Sequence, residues 1–514
     1  MDDTLDSALA SLRLEADLFR KALVSRGFID DGKTLQGIVE WKHGGATHRA
    51  TIAVQLTDRF PFAPPSVAII DCGELEPTFH RETNGDLCLW TTEYSLEEVP
   101  WSDPDLFIKK VAGWFAATES GWPGDDDADL ERYLKQDDET ILIYNAEGIT
   151  NSRFYRTQSS KNGVVRVIDQ LKWMPSSNRK KQRGLRRREM NLCYVIDAGS
   201  VGHPIRNWED LAVLTGCNLT EVLKLIQMGA VKYLLVKYGR NGNEAYLALG
   251  VNKQGNLIAY ESADSSAQTR TLRAGENANI LANKKVIVFG AGAIGSNVIG
   301  LLFRSGVRKI KIVDPERLRP GNVIRHLAGD EYVGQYKALA VKQELSRAGL
   351  SIEDIEVSGG RVQDPKELLS AIKSYDLVVD TTADNRASSM LSWASEQLDI
   401  RMISASIQRE GGIARVDRFP LWEGESHLPA VPLIPGSTER YEQGCGSPVS
   451  LTPPSSVLRA ASLATGVALD QLRMIPRNPE DSPTVIEVIT PQSDSPYNRA
   501  GLLTVDDMEV EDAL

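Results

Sequence analysis

Three glycines, Gly290, Gly292 and Gly295, follow the apolar run KKVIVF at the spacing G-x-G-x-x-G. Glycines at this spacing let a strand turn tightly into a helix, and they let the backbone approach a phosphate. The N-terminus of the helix then offers N–H groups and the positive end of its dipole. The pattern predicts a phosphate-binding turn, and NAD, FAD and ATP all fit it.

The residues after the second apolar run favour ATP among these nucleotides. Asp314 ends the run KIKIVD, where it can accept hydrogen bonds from ribose hydroxyls. Asn322 and Arg325 follow within PERLRPGNVIRH, and Lys337 begins the next helical segment. Cations beside a nucleotide suit a reaction in which negative charge develops on phosphate oxygens. Hydride transfer develops no such charge on the phosphates. Arg325 and Lys337 are therefore the predicted catalytic cations, and Asn322 joins them in the nucleotide site.

A polar stretch after a later strand offers carboxylates to a metal ion. The sequence DTTADNR places Asp380 and Asp384 at the C-terminal end of an apolar run. A carboxylate at this edge of a sheet could hold Mg²⁺ against a triphosphate. Capping of the next helix by Asp384 and Asn385 is the alternative role.

Two of the five cysteines lie in turn-like segments. Cys88 follows the turn NGD, and Cys445 is flanked by glycines in ERYEQGCGSPVS. A thiol nucleophile needs partial exposure, and such segments supply it, although a small buried residue is the plainer role for an arbitrary cysteine. Cys193 and Cys217 lie in apolar contexts and are predicted to be core residues.

Composition limits the classes of protein that remain. A length of 514 residues suggests about three domains, and 42% hydrophobic with 25% charged residues excludes a mainly disordered chain. The net charge of −12 disfavours bulk electrostatic binding of nucleic acid. No secretory signal or membrane-spanning run is visible, so we expect a soluble cytoplasmic protein.

The elements that must position these residues indicate a multidomain α/β protein. Residues 1–145 are predicted to form a small α+β domain with an amphipathic helix and antiparallel strands. Residues 146–264 combine two helical segments with a hairpin, which predicts a winged-helix-like or linker domain. Residues 265–490 alternate strands and helices, as in a doubly wound Rossmann-like sheet, and 491–514 are predicted to be an acidic flexible tail.

The residues around the glycine turn resemble the ubiquitin-activating, ThiF and MoeB group of adenylating enzymes. Their S-N-L-x-R-Q stands here as G-N-V-I-R-H after Asp314, with His326 in place of glutamine, and their D-C-T-D-N stands here as DTTADN. The resemblance implies a homodimeric adenylation domain that uses ATP and Mg²⁺, with Asp384 as the metal ligand. It also implies an acyl-accepting cysteine in the crossover loop, where Cys445 lies.

The N-terminal segment resembles ubiquitin-conjugating enzymes. The sequences FPFAPPSV, NGDLCLW and VPWSDPDLF follow the order of that family's Y-P-F-x-P-P-x-V, G-x-I-C-L and W-x-P motifs. This resemblance makes Cys88 an acyl-carrying thiol. The family's H-P-N stands here as H-R-E at His80, so its oxyanion-stabilising asparagine is missing, and Asn84 is a candidate replacement.

The whole chain resembles bacterial fusions of a conjugating-like and an activating-like domain in CBASS antiphage operons with cGAS-like nucleotidyltransferases. The resemblance implies adenylation of the C-terminal carboxylate of a partner, either a ubiquitin-like protein or such a nucleotidyltransferase. It then implies a thioester relay from Cys445 to Cys88 and an amide bond to an amine on a target protein.

Two other classes of function remain open from the residues. An NAD- or FAD-dependent oxidoreductase with a fused module fits the glycine turn. A non-catalytic DNA-binding scaffold would use the basic run at 179–188 and the winged-helix-like segment. A solvated loop is the plainer reading of that run, so neither nucleic acid nor a membrane is an expected partner.

Overall fold

The structure is a computed structural model of the chain. It describes all residues except 1, 76–78, 83, 91–98, 124–128, 176–190, 216–218, 241, 252–255, 362, 422–423, 433–449, 474–482 and 504–514. Among the described residues, the side chains of 2–9 and 138 are left out. The predictions for Cys217, Cys445 and the basic run lie outside the described residues. The chain divides into two compact units, Met1–Ser266 and Ala267–Leu514.

The first unit begins with a four-stranded antiparallel sheet and two helices. The helices are α1, Asp2–Ser25, and α2, Pro104–Glu119. The strands pair in chain order and are β1 Ile29–Asp30, β2 Leu35–His43, β3 Ala46–Gln55 and β4 Ser66–Asp71. Alternate residues of β2 are buried, so one face of the sheet is apolar. This is an α+β arrangement, as the sequence predicted, but the boundary predicted after residue 145 is too late, because residues 136–144 form a strand of the barrel described below.

Helix α2 covers the apolar face of this sheet. Phe107, Val111 and Phe115 recur at helical spacing and share one core with the sheet residues. The Asp103 carboxylate caps the helix by accepting hydrogen bonds from two backbone N–H groups at 2.8 and 3.0 Å. Pro104 stands at the first helical position, where its missing N–H costs no hydrogen bond. Sequence and packing therefore agree on where α2 begins.

Residues 136–264 form a closed barrel of seven strands in the order β10, β11, β5, β7, β6, β8, β9. The strands are β5 Gln136–Tyr144, β6 Phe154–Ser159, β7 Val164–Gln170, β8 Leu192–Ser200, β9 Val231–Arg240, β10 Asn243–Val251 and β11 Leu257–Asp264. Helices α3, Trp208–Thr215, and α4, Thr220–Gln227, lie between β8 and β9 along the chain.

The winged-helix-like alternative predicted for residues 146–264 is wrong. The two helices and the hairpin exist, but the hairpin strands β9 and β10 close a barrel with five further strands. The sequence pattern missed β6 and β7 because they bury only two residues and one residue respectively, which leaves no clear alternation.

Apolar residues of the barrel form two separate cores. Val195, Leu235 and Cys193 belong to a core made mainly of strand residues. Leu234 and Val236 belong to the other core, which also contains residues of α3 and α4. Neighbouring residues of one strand thus face opposite sides. The prediction that Cys193 is a core residue is confirmed, and burial raises the pKa of its thiol.

The second unit is built on an eight-stranded sheet in the order β14, β13, β12, β15, β16, β17, β18, β19. The strands are β12 Lys285–Phe289, β13 Lys309–Val313, β14 Ile355–Ser358, β15 Leu377–Asp380, β16 Arg401–Gln408, β17 Ile413–Phe419, β18 Thr484–Val488 and β19 Gly501–Leu503. The first five are parallel and the last three are antiparallel. The predicted doubly wound sheet is confirmed.

Seven α-helices of the described residues accompany this sheet. They are α5 Ala267–Thr271, α6 Ala278–Leu281, α7 Ala293–Arg304, α8 Lys337–Leu345, α9 Pro365–Ile372, α10 Asn385–Leu398 and α11 Pro454–Arg473. Across both units, no helix within the described ranges is long and apolar enough to cross a lipid bilayer.

The parallel strands are buried on both faces. In β12, Val286 and Val288 share a core with α7 and α11, whereas Ile287 and Phe289 share a core with α9 and α10. A strand covered on both faces reads as a continuous apolar run. This is why the runs KKVIVF and YDLVVD predicted strands without any alternation.

The sheet extends beyond residue 490, where the sequence placed the start of the tail. Strand β19 pairs with β18, and Tyr497 is 1% exposed in a core with Ile486 and Val488. The predicted tail of 491–514 is therefore wrong at its start, because residues up to Leu503 are part of the fold. The polar composition of this segment gave no pattern from which the short edge strand β19 could be predicted.

Candidate functional site

The glycine turn joins β12 to α7 and has no space for a side chain at two of its glycines. Gly290 has a φ of +89°, and a Cβ there would lie 2.6 Å from the carbonyl oxygen of Thr381. A Cβ on Gly295 would lie 2.1 Å from the carbonyl oxygen of Gly290. Gly292, the N-cap of α7, has no atom within 4 Å of its Cβ position. The turn is therefore packed on one side and open at Gly292, where phosphate oxygens can approach the helix N-terminus.

Asp314 follows β13 beside this turn. Phe289 of β12 pairs with Val313 of β13, so the residues after both strands meet at one edge of the sheet. The Asp314 carboxylate is buried and accepts hydrogen bonds from the N–H groups of Ala291, at 2.7 Å, and Glu316, at 2.8 Å. The two bonds use different oxygens, and each oxygen has a second acceptor position. Asp314 thus holds the turn and retains capacity to accept ribose hydroxyls.

A small pocket opens beside the glycine turn, and its lining includes Gly292, Asn322, Arg325, His326 and Lys337. The sequence assigned four of these residues to one nucleotide site, and the structure brings those four to one pocket. Two cationic side chains and a helix N-terminus line this pocket, a combination that suits the phosphates of a nucleotide.

Lys337 is the first residue of α8, and its side chain is buried. Its Nζ lies 2.6 Å from Oε2 of Glu316, and the residue is 8% exposed. This hydrogen bond and the charge of Lys337 lower the pKa of Glu316. The predicted phosphate-binding cation therefore has a carboxylate partner within its own unit.

Arg325 and Asn322 are held by backbone groups. Nη1 of Arg325 donates to the carbonyl oxygens of Ser450 and Thr452 at 3.1 and 3.3 Å. The side-chain oxygen of Asn322 accepts a hydrogen bond from the N–H of Arg319 at 3.0 Å. These bonds fix both side chains at the pocket without using the other donors of the guanidinium group.

His326, which stands in place of the glutamine, holds the glycine turn from the pocket side. Its Nδ1 accepts a hydrogen bond from the N–H of Ala328 at 3.0 Å, so the proton of the neutral ring lies on Nε2. Nε2 donates to the carbonyl oxygen of Ala291 at 2.7 Å. Burial lowers the pKa of His326, which favours this neutral form.

The two carboxylates considered for Mg²⁺ differ in their surroundings. Asp380 is 1% exposed and accepts hydrogen bonds from the hydroxyls of Thr382, Ser388 and Ser404. Asp384 is exposed and caps α10 through two backbone N–H groups, which is the alternative role that the sequence left open. The described part of the chain contains no cluster of three His, Cys, Asp or Glu suited to a metal.

Cys88 is half-buried in the first unit. Its N–H donates to the carbonyl oxygen of His80 at 2.8 Å, and its Sγ accepts a hydrogen bond from Nη1 of Arg132 at 3.2 Å. The indole N–H of Trp101 donates to the carbonyl oxygen of Pro61 at 2.6 Å. This bond joins the two proline-containing motifs that flank the cysteine in the sequence.

The polar residues expected near this thiol have local roles. The His80 ring lies 3.9 Å from the Trp122 ring, measured between centroids, and its backbone has a φ of +55°. The Asn84 side chain donates to Oδ2 of Asp86 at 2.8 Å and accepts from the Asp86 N–H at 3.0 Å. Asn84 therefore stabilises its own turn, which weakens its candidacy as an oxyanion donor.

Sequence reasoning missed two residues of these sites. Thr381, within the quoted DTTADN, donates through Oγ1 to the carbonyl oxygen of Gly290 at 2.8 Å and so shapes the turn. Arg132 lies 44 residues after Cys88, and no local pattern links them. Thr381 could have been found from its place in the DTTADN motif, whereas no sequence pattern pointed to Arg132.

Residues 266–441 match the model of the ThiF family. An ATP-dependent ubiquitin transferase-like protein Cap2 from Enterobacter hormaechei is 30% identical over 185 residues, 34% of this chain and 30% of that protein. A sulfur carrier protein adenylyltransferase from Thermus thermophilus is 27% identical over 146 residues, 28% of this chain and 53% of that protein. The C-terminal part therefore contains a ThiF-family domain, and the predicted resemblance is confirmed there.

The similarity covers only part of each protein. The chain spans 30% and 33% of the lengths of two curated relatives, Cap2 and the protein y4oA of Sinorhizobium fredii. A crystal structure of E. coli MccB is 18% identical with a TM-score of 0.35, and the match covers 46% of this chain and 70% of that chain. The resemblance of the N-terminal part to conjugating enzymes stays a prediction.

Proposed function

We propose that this chain activates the C-terminal carboxylate of a partner protein with ATP and conjugates it to an amine on a target. The activated group passes as a thioester from Cys445 to Cys88 before the amide bond forms. The ThiF-family match and the similarity to adenylyltransferases support the activation step. The similarity to a ubiquitin transferase-like protein supports conjugation. A role in antiphage defence belongs to the same proposal.

The pocket beside the glycine turn suits the phosphates of ATP. Gly292 has no atom within 4 Å of its Cβ position, so the backbone of the turn is open there to the phosphate oxygens of a nucleotide. Asp314 accepts the ribose hydroxyls, and Asn322 contacts the nucleotide from the pocket wall. The residues present therefore fit a nucleotide with several phosphates.

The adenylation step needs positive charge at the α-phosphate. A carboxylate oxygen of the partner attacks the phosphorus, the bond to the bridging oxygen breaks, and pyrophosphate leaves. Arg325 and Lys337 stabilise the charge that develops on the phosphate oxygens. Asp384 would hold Mg²⁺, which would neutralise further negative charge on the phosphates.

The thioester relay conserves the energy of ATP cleavage. The Cys445 thiolate attacks the acyl-adenylate and releases AMP, and the Cys88 thiolate then takes the acyl group by thioester exchange. An amine of the target attacks the carbonyl carbon of the Cys88 thioester, the C–S bond breaks, and the thiolate leaves. A homodimer, a cytoplasmic location and a partner that is either a ubiquitin-like protein or a cGAS-like nucleotidyltransferase belong to this proposal.

One observation carries the proposal above the others. The same chain contains a ThiF-family domain with a cationic pocket and, in its other unit, a half-buried cysteine beside an arginine. Hydride transfer requires neither the cations nor the thiol. Activation of a carboxylate followed by acyl transfer uses both.

Trapping of the acylated protein tests the relay. The wild type, Cys88→Ala and Cys445→Ala are incubated with Mg·ATP and the protein products of the neighbouring genes, and then analysed by intact mass. We expect a thiol-sensitive adduct on Cys445 in Cys88→Ala and no adduct on Cys88 in Cys445→Ala. AMP formation without an adduct in any variant would retain adenylation and refute the two-cysteine relay.

A further inference from the structure

The segment that enters the barrel carries Arg132 to the Cys88 thiol. Nη1 of Arg132 lies 3.2 Å from Sγ of Cys88. Leu130 and Leu134, on either side of Arg132, are 0% and 2% exposed and belong to the core that the barrel shares with α3 and α4. The backbone that bears the guanidinium group is therefore fixed by packing on the barrel.

The same segment also holds the loop that leads to Cys88. The Tyr133 hydroxyl accepts a hydrogen bond from the N–H of His80 at 2.7 Å, and the His80 carbonyl in turn accepts from the Cys88 N–H at 2.8 Å. Phe79 packs in the barrel core, where the Arg240 guanidinium carbon lies 3.7 Å from its ring centroid. Barrel residues thus fix both the thiol loop and the arginine that faces it.

A carboxylate orients the guanidinium group toward the sulfur. Oδ2 of Asp129 accepts hydrogen bonds from Nε and Nη2 of Arg132, both at 3.3 Å. Nη1, the remaining nitrogen, is the one that contacts Cys88. The planar fork of an arginine makes such a division of donors possible, because its nitrogens point in fixed directions.

We propose that Arg132 is a catalytic residue of the Cys88 site, where it stabilises the thiolate and the oxyanion of acyl transfer. This rests on the proposed function of Cys88 as an acyl carrier. Arg132 would do what the missing asparagine does in conjugating enzymes, while the Asn84 amide is bonded to Asp86. The barrel thereby completes the thiol site instead of merely linking two domains.

The chemistry follows from the contact with sulfur. In aminolysis, the amine nitrogen attacks the carbonyl carbon of the Cys88 thioester, and negative charge develops on the carbonyl oxygen. That oxygen lies two bonds from sulfur, so a donor in contact with the sulfur also reaches it. The C–S bond then breaks, Cys88 leaves as a thiolate beside the guanidinium, and the nitrogen loses its proton to solvent. Fixed donors at a developing charge are the main source of such catalysis.

A small thioester tests the inference without the adenylation site. Cys88 of the full-length protein is acylated with the N-acetylglycine thioester of mercaptoethanesulfonate, and its aminolysis by free lysine is followed by intact mass. Arg132→Gln should slow this aminolysis about 100-fold, the effect of removing one oxyanion donor. It should also slow alkylation of Cys88 by iodoacetamide at pH 7 about tenfold, because less thiolate is present. Peptide mapping separates Cys88 from the other cysteines.

Two further variants complete the comparison. Arg156→Gln breaks the exposed Arg156–Asp169 ion pair on the barrel and should leave both rates unchanged. Arg132→Lys keeps the charge without the planar fork, and its aminolysis rate should fall between those of the wild type and Arg132→Gln. If Arg132→Gln fails to fold, the folded Arg132→Lys protein still decides the matter by its rate.

The outcomes separate this inference from the function on which it rests. A folded Arg132→Gln protein with the wild-type aminolysis rate, or an Arg132→Lys protein as fast as the wild type when Arg132→Gln does not fold, overturns the role of Arg132. A wild type whose thioester reacts no faster with lysine than the free small-molecule thioester overturns the proposed function of Cys88 instead.

Discussion

The ammonium group of Lys337 lies 2.6 Å from the carboxylate of Glu316, and Lys337 lines the pocket beside the glycine turn. The lysine is buried, whereas the Glu316 side chain is 66% exposed. The cation that the sequence assigned to phosphate binding is thus positioned by an acidic residue that the sequence did not single out. A phosphate group at this pocket shares the lysine with that carboxylate.

Substitutions of Lys337 and of Glu316 should change the affinity for ATP in opposite directions. Lys337→Gln removes a buried charge from the pocket and should weaken Mg·ATP binding about tenfold or more. Glu316→Gln removes the competing carboxylate and should tighten binding by a factor of about three. Isothermal titration calorimetry measures both values. An ATP affinity that is unchanged in Lys337→Gln would place the phosphates elsewhere.

Alanine substitutions at two glycines of the turn should have different effects, one on stability and the other on nucleotide binding. A Cβ on Gly295 would lie 2.1 Å from a carbonyl oxygen, so Gly295→Ala should destabilise the second unit by about 1–3 kcal/mol. Gly292 has a φ of −79° and no atom within 4 Å, so Gly292→Ala should unfold at the wild-type temperature. Its added methyl group enters the pocket and should weaken ATP binding. Equal thermal stability of both variants would contradict the packing described for the turn.

Acid should destabilise the protein through His326. Burial lowers the pKa of His326 below the ordinary histidine value of 6.5, so the unfolded chain binds the proton at a higher pH than the folded chain. The stability contribution is present above pH 6.5 and is lost as the pH falls toward the folded value. His326→Gln, which keeps a donor and an acceptor, should therefore lose less thermal stability between pH 7.5 and 5.5. His427, whose pKa burial also lowers, should leave a residual loss, and identical losses in both proteins would refute the role of His326.

A rise in pH toward neutrality should destabilise the protein through Glu131. Burial, and next the charge of Asp129, raise the pKa of Glu131 from 4.5 to about 7. The folded chain therefore holds a proton that the unfolded chain has lost, and stability falls as the pH rises from about 4.5 through about 7. Glu131→Gln mimics the protonated side chain and should raise the melting temperature at pH 8 more than at pH 5. Melting curves at the two pH values check this, and an equal shift at both would contradict it.

Much of the second unit could be predicted because its signals are local. Strand β12 is a continuous apolar run, and the glycines that follow it mark the turn into α7. Parallel strands end at one edge of the sheet, so Asp314 had to lie near Gly290. The sequence also placed Lys337 at the start of the next helix, and in the structure it lines the pocket beside the glycine turn.

The barrel and the arginine at Cys88 depend on contacts that no local pattern records. Strand β5 pairs with β7 and β11, which are distant from each other in the sequence. Arg132 contacts Cys88 from a backbone segment whose Leu130 and Leu134 pack in the core of the barrel. Asp384 shows a different limit, since the same carboxylate pattern fits a helix cap and a metal ligand.

The bond of ATP that breaks tests the central claim most directly. The full-length protein is incubated with Mg²⁺, ATP labelled at the α-phosphate and the protein products of the neighbouring genes, and the labelled products are separated. We expect labelled AMP, with unlabelled pyrophosphate as the other product, and no labelled AMP when the C-terminal residue of the activated partner is deleted. Labelled ADP with free phosphate, or AMP that forms equally without that C-terminus, would contradict activation of a partner carboxylate.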